Sequence, residues 1–168
     1  KSVGVFGIGG VGHLALQIAK LNGSRVVAVS RSKNHTDLAA KLGADSVLTL
    51  QGSQDQFLKR LRKDEGMLDN AIVFAPSDSV IDTATKSVRK GGTIVLGVLG
   101  NVTDFPTFEE KTIKGSVIGT RKDMAELVRL ASDFNLKIII ETFKLKEANE
   151  VLTKLKNSQI EARAVLIP

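Results

Sequence analysis

The residues best suited to chemistry in this sequence form the glycine-rich stretch GIGGVG at positions 7–12. The stretch follows a short apolar run and opens a segment with helical spacing, the setting in which a GxGxxG motif binds a dinucleotide. There Gly7 permits a tight turn, Gly9 lets a pyrophosphate approach the backbone, and Gly12 lets the helix lie close to the strand. Gly10 shares the loop, and the free N–H groups at the helix start attract an anion. The motif predicts a pyrophosphate site, and the alternative is a plain glycine-rich turn.

A second informative group lies at the end of the second predicted strand. The strand ends at Ser30, eighteen residues beyond Gly12, where an acidic residue would accept hydrogen bonds from the adenosine ribose of NAD. The sequence has no acid there, and Ser30, Arg31 and Lys33 instead offer a hydroxyl and two cations for the 2′-phosphate of NADP. A charge-assisted hydrogen bond of about 1.5–3 kcal/mol would give roughly a tenfold to hundredfold preference. We therefore predict NADP(H) rather than NAD(H), against the alternative that both cations are solvated loop charges.

The elements that must position these residues alternate along the chain. Short continuous runs of Val, Ile, Leu and Ala are typical of parallel strands covered on both faces, and the segments between them carry apolar residues three and four apart. The predicted strands are residues 2–7, 25–30, 46–50, 70–75, 93–98 and 116–119. The predicted helices are residues 11–22, 36–42, 54–63 and 78–90. This order predicts an α/β fold with a doubly wound, parallel, six-stranded sheet.

Beyond the sixth predicted strand the alternation stops. The pattern there indicates a helix at 122–133, a short apolar run at 137–141, a second helix at 146–156 and a final strand at 163–167. No repeat, low-complexity segment or flexible linker interrupts the chain. We therefore predict one domain over residues 1–168, whose residues from about 137 onward form a C-terminal tail.

Composition narrows the class of protein. No apolar run approaches the roughly 18 residues that a membrane-spanning helix needs, so we expect a soluble protein without a membrane partner. The net charge is +6, but the basic residues are scattered rather than gathered in a stripe with aromatic residues, which argues against nucleic acid as a partner. The sequence has no cysteine, which excludes disulfides and thiolate metal ligands and favours a cytoplasmic location. The chain opens on a strand-like segment, so no export signal is expected.

Longer segments resemble the coenzyme domain of the zinc-dependent medium-chain alcohol dehydrogenases. The stretch GIGGVGHLALQIAK at 7–20 carries the resemblance, and residues 26–45, which end in KLGAD, continue it. Three later stretches are similar as well, namely RKGGT at 89–93, GSVIGT at 115–120 and ARAVL at 162–166. The similarity runs in register along essentially the whole chain. It implies a Rossmann-type, nucleotide-binding domain of an oxidoreductase that exchanges hydride between an alcohol and a nicotinamide cofactor.

The resemblance also implies further cofactor-binding positions. Segments that match those hydrogen-bonding the nicotinamide carboxamide contain Leu96, Gly97, Val98, Ser116 and Ile118. Val11 matches a residue that lies beside the pyrophosphate, and Arg163 matches an arginine that meets it. His35 stands where the family often has a lysine near the adenosine ribose. For His13, at the start of the first helix, we expect an exposed capping or packing role rather than a catalytic one.

By the same resemblance, zinc and most of the substrate pocket belong to an N-terminal domain that is absent from these residues. We predict no metal site and no catalytic residue here, because His13 and His35 are unsupported by other ligands. The parent enzyme would oxidise a primary or secondary alcohol reversibly to an aldehyde or ketone, whereas this fragment alone would bind the cofactor and be inactive. The tail would pack on the missing domain, and the edge strand near 116–119 would pair two copies in a homodimer or dimer-based tetramer.

Three other functions are compatible with parts of this pattern. A non-catalytic NAD(P)-sensing module would share every feature above and differ only in its flanking sequence. A zinc-free quinone-reductase-like relative more often carries an AxxGxxG loop, so Gly7 and Gly9 favour the zinc branch. An adenosylmethionine-dependent methyltransferase usually keeps an acid at the end of the second strand, where this chain has Ser30.

Overall fold

Six parallel strands form the main sheet of the computed structural model, which describes all 168 residues. In chain order the strands are β1 (Ser2–Phe6), β2 (Arg25–Ser30), β3 (Ser46–Thr49), β4 (Leu68–Val73), β5 (Val88–Leu96) and β6 (Thr112–Gly115). Their order in the sheet is β3-β2-β1-β4-β5-β6, so the chain winds outward from β1 in one direction and then in the other. This order confirms the predicted doubly wound fold, and it opens a crevice at the carboxyl ends of β1 and β4.

Helices connect the strands and continue into the C-terminal region. They are α1 (Gly12–Leu21), α2 (Lys33–Lys41), α3 (Gln54–Asp64), α4 (Asp78–Ser87), α5 (Arg121–Phe134) and α6 (Ala148–Lys156). The start of α3 is fixed by a capping box, in which Ser53 Oγ accepts from the Gln56 N–H and the Gln56 side chain accepts from the Ser53 N–H. Thr120 and Asp123 form the same arrangement at the start of α5. None of the helices is long and apolar enough to cross a membrane.

The core lies on both faces of the sheet, as continuous apolar strands require. Along β2, Val26 and Ala28 point to one face, where they pack with Leu16 of α1 and with α2. Val27 and Val29 point to the other face, which α3 and α4 cover. Because successive side chains of a strand alternate between faces, an unbroken apolar run is buried only when helices lie on both sides. Groups of the sheet that could contact a ligand therefore lie at the strand ends rather than on a face.

The predicted position of the sixth strand is wrong. The strand was expected at 116–119 and lies instead at Thr112–Gly115, where it pairs with β5 from Thr93↔Thr112 to Leu96↔Gly115. Residues Val117 and Ile118 follow it in an exposed loop. The two apolar residues Val117 and Ile118 belong to this loop, whereas β6 itself is an edge strand that has Ile113 as its one apolar aliphatic residue and therefore gives a weak sequence signal. In the same region α4 ends at Ser87 rather than at residue 90, since β5 begins at Val88.

The C-terminal tail is only partly helical. Two short strands, β7 (Ile140–Lys144) and β8 (Arg163–Ile167), flank α6 and pair in parallel as a separate sheet. The last strand has the predicted bounds, whereas the run predicted at 137–141 becomes a strand only from Ile140. Helix α5 buries none of its residues and leaves apolar side chains such as Val128 exposed. The sheet of β7 and β8 lies beside the glycine loop, so the tail contributes to the site described below.

Candidate functional site

The glycine loop between β1 and α1 has the shape that the motif predicts. Gly7 has φ +95°, and a Cβ at this position would lie 2.8 Å from the backbone nitrogen of Ala75. A Cβ on Gly12 would lie 1.9 Å from the carbonyl oxygen of Gly7, so α1 can start this close to β1 only with glycine there. A Cβ on Gly9 would meet no atom within 4 Å. Two glycines are thus required by the protein itself, and the third borders open space.

The polar groups of the loop are arranged for an anion. The N–H groups of Gly10, Val11 and Gly12 make no hydrogen bond within the protein. The two neighbouring carbonyls are held instead: His13 Nδ1 lies 2.8 Å from Gly9 O, and Arg163 Nη2 donates to Gly10 O at 2.7 Å. In a trans peptide the C=O and the following N–H point in opposite directions. Holding the carbonyls toward the protein therefore turns the N–H groups outward, toward the crevice.

His13 is buried, which corrects the expectation of an exposed residue. Its side chain has no accessible surface, and its Nε2 accepts a hydrogen bond from the Ile139 N–H at 3.3 Å. Because Nε2 accepts, the proton of the neutral ring lies on Nδ1, which donates to Gly9 O. Burial and, to a smaller extent, the charge of Arg163 lower the pKa of His13, while the bond to Gly9 opposes them. The ring is therefore a neutral link between the glycine loop and the tail.

The loop after β2 holds the residues predicted to select the cofactor. Ser30 is buried, its Oγ accepts from the Ser32 N–H at 3.4 Å, and it faces His35 Nδ1 at 3.4 Å. Arg31 is exposed and makes neither a hydrogen bond nor an ion pair. Lys33 differs, because it is the first residue of α2 and pairs with Asp37 at 2.8 Å one turn later. Arg31 is the cation that remains available to a ligand.

A cavity joins these two loops at the carboxyl end of the sheet. Its volume is about 170 Å³, and Ser30, Arg31 and His35 line it together with Gly7 and Gly9. No carboxylate is among its lining residues, and Lys33 is not among them either. The glycine loop and the end of β2 therefore line one cavity. An anionic group entering it would meet one unpaired guanidinium and no acid.

The segments expected to meet the nicotinamide also converge. Leu96 ends β5, and its carbonyl accepts a hydrogen bond from the Ser116 N–H at 2.8 Å. Gly97 donates to Val73 O, which ties this segment to β4, whereas the N–H groups of Val98 and Ile118 have no partner in the protein. Ile118 has φ +51°, an uncommon conformation for a β-branched residue. Backbone donors thus remain free at the carboxyl ends of β5 and β6, on the other side of β4 from the cavity.

Two features of the site were missed by the sequence analysis. Ser158, in the turn after α6, lines the cavity although it lies 128 residues beyond Ser30 in the chain. His35 Nε2 lies 3.2 Å from Ile160 O, so this histidine also holds the tail against the loop after β2. A polar turn such as residues 157–159 carries no sequence signal for such a role. The position of His35, five residues after Ser30, was the only available indication.

The residues of the chain do not fit a metal ion. No group of three or more His, Asp or Glu side chains is placed to hold one. Both histidines use their ring nitrogens in the contacts described above, with Gly9 and Ile139 for His13 and with Ile160 for His35. No metal chemistry is therefore assigned to these residues.

Comparisons with known proteins identify a family with this fold. The zinc-binding dehydrogenase family model matches residues 10–133. An alcohol dehydrogenase of Geobacillus stearothermophilus is 38% identical over 98% of this chain and 49% of its own length. The structure of the Aeropyrum pernix alcohol dehydrogenase has a TM-score of 0.90 at 29% identity, over 99% of this chain and 50% of that one. Acetophenone reductase of Geotrichum candidum, solved with NAD, has a TM-score of 0.83 at 31% identity, over 99% of this chain and 48% of that one.

These matches cover nearly all of this chain but only part of each relative. The chain spans about half the length of the curated relatives it matches. The matched part contains the parallel sheet, the glycine loop and the loop after β2, together with the tail that packs against them. The chain belongs to the zinc-binding dehydrogenase family and corresponds to the part of its alcohol dehydrogenase relatives that has the Rossmann-type sheet.

Proposed function

We propose that this chain is the NADP(H)-binding domain of a zinc-type alcohol dehydrogenase, an enzyme that transfers hydride between an alcohol and a nicotinamide cofactor. The observation that carries the cofactor choice is Arg31, an unpaired guanidinium in a cavity that contains the glycine loop and no carboxylate. Zinc and the alcohol pocket would lie in the part of the parent enzyme that this chain does not include. The 168 residues alone would bind the cofactor and catalyse nothing.

Three parts of the cofactor have a matching group on the chain. The N–H groups of Gly10 and Val11 would donate to the pyrophosphate, and Arg163, which donates to Gly10 O, would lie beside it. Arg31, with the Ser30 hydroxyl, would meet the 2′-phosphate, and the free N–H groups of Val98 and Ile118 would orient the carboxamide. A nicotinamide cofactor held by these residues would supply the chemistry of hydride transfer. The protein contributes binding and the choice of the ring face that is presented to the substrate.

NAD(H) is the second candidate cofactor. The Geotrichum candidum acetophenone reductase, 31% identical, was solved with NAD. The Ser30 hydroxyl would also accept a hydrogen bond from an unmodified ribose, and Lys33, held by Asp37, would add little to phosphate binding. The choice between the two cofactors therefore depends on Arg31.

A homodimer is a further part of the proposal. Its seam would be the free edge of β6, next to the exposed side chains of Val117 and Ile118. This places the seam slightly before the predicted residues 116–119. A cytoplasmic location stays a prediction from the sequence.

The experiment is a fluorescence titration of the 168-residue chain with NADPH and with NADH at one fixed salt concentration. The variants Arg31→Ala and Lys33→Ala are titrated in parallel. They form a matched pair, because both remove a cation close to the end of β2 but only Arg31 lines the cavity. Removing one charge-assisted hydrogen bond predicts about a tenfold to hundredfold loss of NADPH affinity in Arg31→Ala. We expect Lys33→Ala to change the NADPH affinity by less than about threefold.

The outcomes separate the parts of the proposal. Tighter binding of NADPH than of NADH by the wild type, abolished in Arg31→Ala alone, supports the NADP(H) domain. Equal binding of both dinucleotides overturns the cofactor choice and leaves a dinucleotide domain. Binding of neither overturns the assignment of the glycine loop as a complete pyrophosphate site. A Cys and His ligand set upstream in the parent gene would separate the enzyme from a non-catalytic sensing module.

A further inference from the structure

A row of hydrogen bonds connects one face of α1 to the beginning of the tail. Gln17 Nε2 donates to Lys137 O at 2.9 Å, and Gln17 Oε1 accepts from the Lys137 N–H at 2.9 Å. One turn earlier on the same helix face, His13 Nε2 accepts from the Ile139 N–H at 3.3 Å. The two side chains thus satisfy the backbone of residues 137–139, just before β7 begins. Of the two, only His13 also reaches the glycine loop.

The contact of His13 with that loop acts on a single peptide plane. The Gly9 carbonyl accepts from the His13 side chain at 2.8 Å and from the His13 backbone N–H at 3.2 Å. Since this peptide is planar and trans, fixing its carbonyl fixes the direction of the Gly10 N–H. That N–H has no partner within the protein and points away from α1. A glycine has few steric limits of its own, so the direction depends on these two bonds.

We propose that His13 is a positioning residue for pyrophosphate binding, holding the Gly9–Gly10 peptide so that the Gly10 N–H faces the ligand while its other nitrogen couples this loop to the tail. The inference rests on the proposed dinucleotide function and adds to it a residue that would not touch the cofactor. Its two roles use different atoms: Nδ1 donates to the loop, and Nε2 accepts from Ile139. The tail thereby becomes part of the support for the cofactor site.

The two nitrogens can be tested separately because two amides mimic them. In His13→Asn the side-chain NH₂ takes the place of Nδ1, so the bond to Gly9 O is kept and the acceptor for Ile139 is lost. In His13→Gln the amide lies at the place of Nε2, so the acceptor for Ile139 is kept and the donor to Gly9 O is lost. The variants are otherwise similar in polarity, and each is compared with the wild type for thermal unfolding.

The probes are ADP, which contains the pyrophosphate common to both dinucleotides, and adenosine, which lacks it. Calorimetric titration of the chain should give an ADP affinity in His13→Asn within about twofold of the wild type. In His13→Gln it should fall about three- to tenfold, the effect of one hydrogen bond. Adenosine affinity should be the same in all three proteins. Equal ADP affinity in His13→Asn and His13→Gln, whether both unchanged or both reduced, would overturn the proposal in favour of a packing role.

A second test determines the tautomer of His13 in the wild-type chain. Long-range ¹H–¹⁵N correlation of the His13 ring at pH 7.5 should show the neutral tautomer with its proton on Nδ1. A proton on Nε2 would overturn the proposal, because the bond to Gly9 O would then be impossible. ADP does not report the 2′-phosphate, so a failed NADPH preference leaves this test intact. If the wild type binds no ADP, the pyrophosphate site itself fails, whatever the tautomer.

Discussion

The two loops that meet in the cavity differ in how strongly contacts within the protein hold their residues. In the loop after β1, steric contacts require Gly7 and Gly12, and the carbonyls of Gly9 and Gly10 are held by side chains. In the loop after β2, Arg31 is held by nothing. The first loop is fixed by shape before any ligand arrives and would bind what all dinucleotides share. The second is defined by charge and would distinguish one dinucleotide from another.

The strongest test of this contrast compares two alanines in the first loop. Gly12→Ala places a Cβ 1.9 Å from the Gly7 carbonyl oxygen, so we expect the free energy of unfolding to fall by about 3 kcal/mol and binding to be lost. Gly9→Ala meets no atom within 4 Å, so stability should change by less than about 0.5 kcal/mol. Its methyl group would nevertheless occupy the approach of the pyrophosphate, and ADP affinity should fall at least about tenfold. Urea unfolding and calorimetry measure the two effects.

The informative result of this pair is the separation of stability from binding in Gly9→Ala. A stable Gly9→Ala that binds ADP as well as the wild type would contradict a pyrophosphate site beside this residue. A stable Gly12→Ala would contradict the close contact between α1 and β1.

In the second loop the expected effect is on selectivity. Ser30→Asp introduces the acid that the end of β2 lacks, where it would accept from a ribose hydroxyl and repel a 2′-phosphate. We expect NADPH affinity to fall about a hundredfold and NADH affinity to fall less than about threefold. The comparison of the two dinucleotides is the measurement. A parallel loss of both would show that the loop after β2 shapes the cavity rather than selecting the cofactor.

The smallest expected effect concerns pH and the link between the loops and the tail. The folded-state pKa of His13 lies below its ordinary value of 6.5, so the unfolded chain binds more protons at slightly acidic pH. The stabilisation that arises from this pKa difference is fully present above pH 6.5 and is lost as the pH falls through the folded-state pKa of His13. The loss is at most about 1.4 kcal/mol per pH unit. Urea unfolding at pH 7.5, 6.5 and 5.5 measures it, with His13→Asn as the control that lacks the titration.

An identical pH dependence in His13→Asn and the wild type would assign the effect to other groups. The charged group that acts on His13 from another element is Arg163, at the start of β8. Its charge lowers the pKa further, so Arg163→Gln should reduce the pH dependence without abolishing it.

The sequence predicted the parts of the molecule that depend on local patterns. The apolar runs of β1 and β2 predicted the two strands, and the structure confirms them. The close contacts at Gly7 and Gly12 also agree with the motif, whereas the cofactor role of these glycines stays a prediction. The pairing of Lys33 with Asp37, by contrast, was not predicted, because the helix was expected only from residue 36, whereas α2 begins at Lys33. Lys33 was therefore counted with Arg31 among the cations offered to a 2′-phosphate.

The parts that failed depend on distant contacts. Val117 and Ile118 led to a strand predicted at 116–119, and only the pairing of β6 with β5 shows that the strand is Thr112–Gly115. His13 is in contact with Ile139, which lies 126 residues later in the chain. The wall of the cavity includes Ser158, which is also distant in sequence from the two loops. No sequence pattern near His13 or near Ser158 predicts such distant contacts. The candidate site was thus predicted where one loop suffices and missed where the tail completes it.

The central claim is that the two loops bind a single ligand together, and amide ¹H–¹⁵N correlation spectra with increasing NADPH test it most directly. The account predicts the largest shifts at Gly9, Gly10 and Val11, with Arg31 and Ser32 shifting along the same binding curve. Shifts confined to one loop, or different midpoints for the two loops, would contradict it. Shifts at the opposite, amino-terminal edge of the sheet would contradict the site altogether.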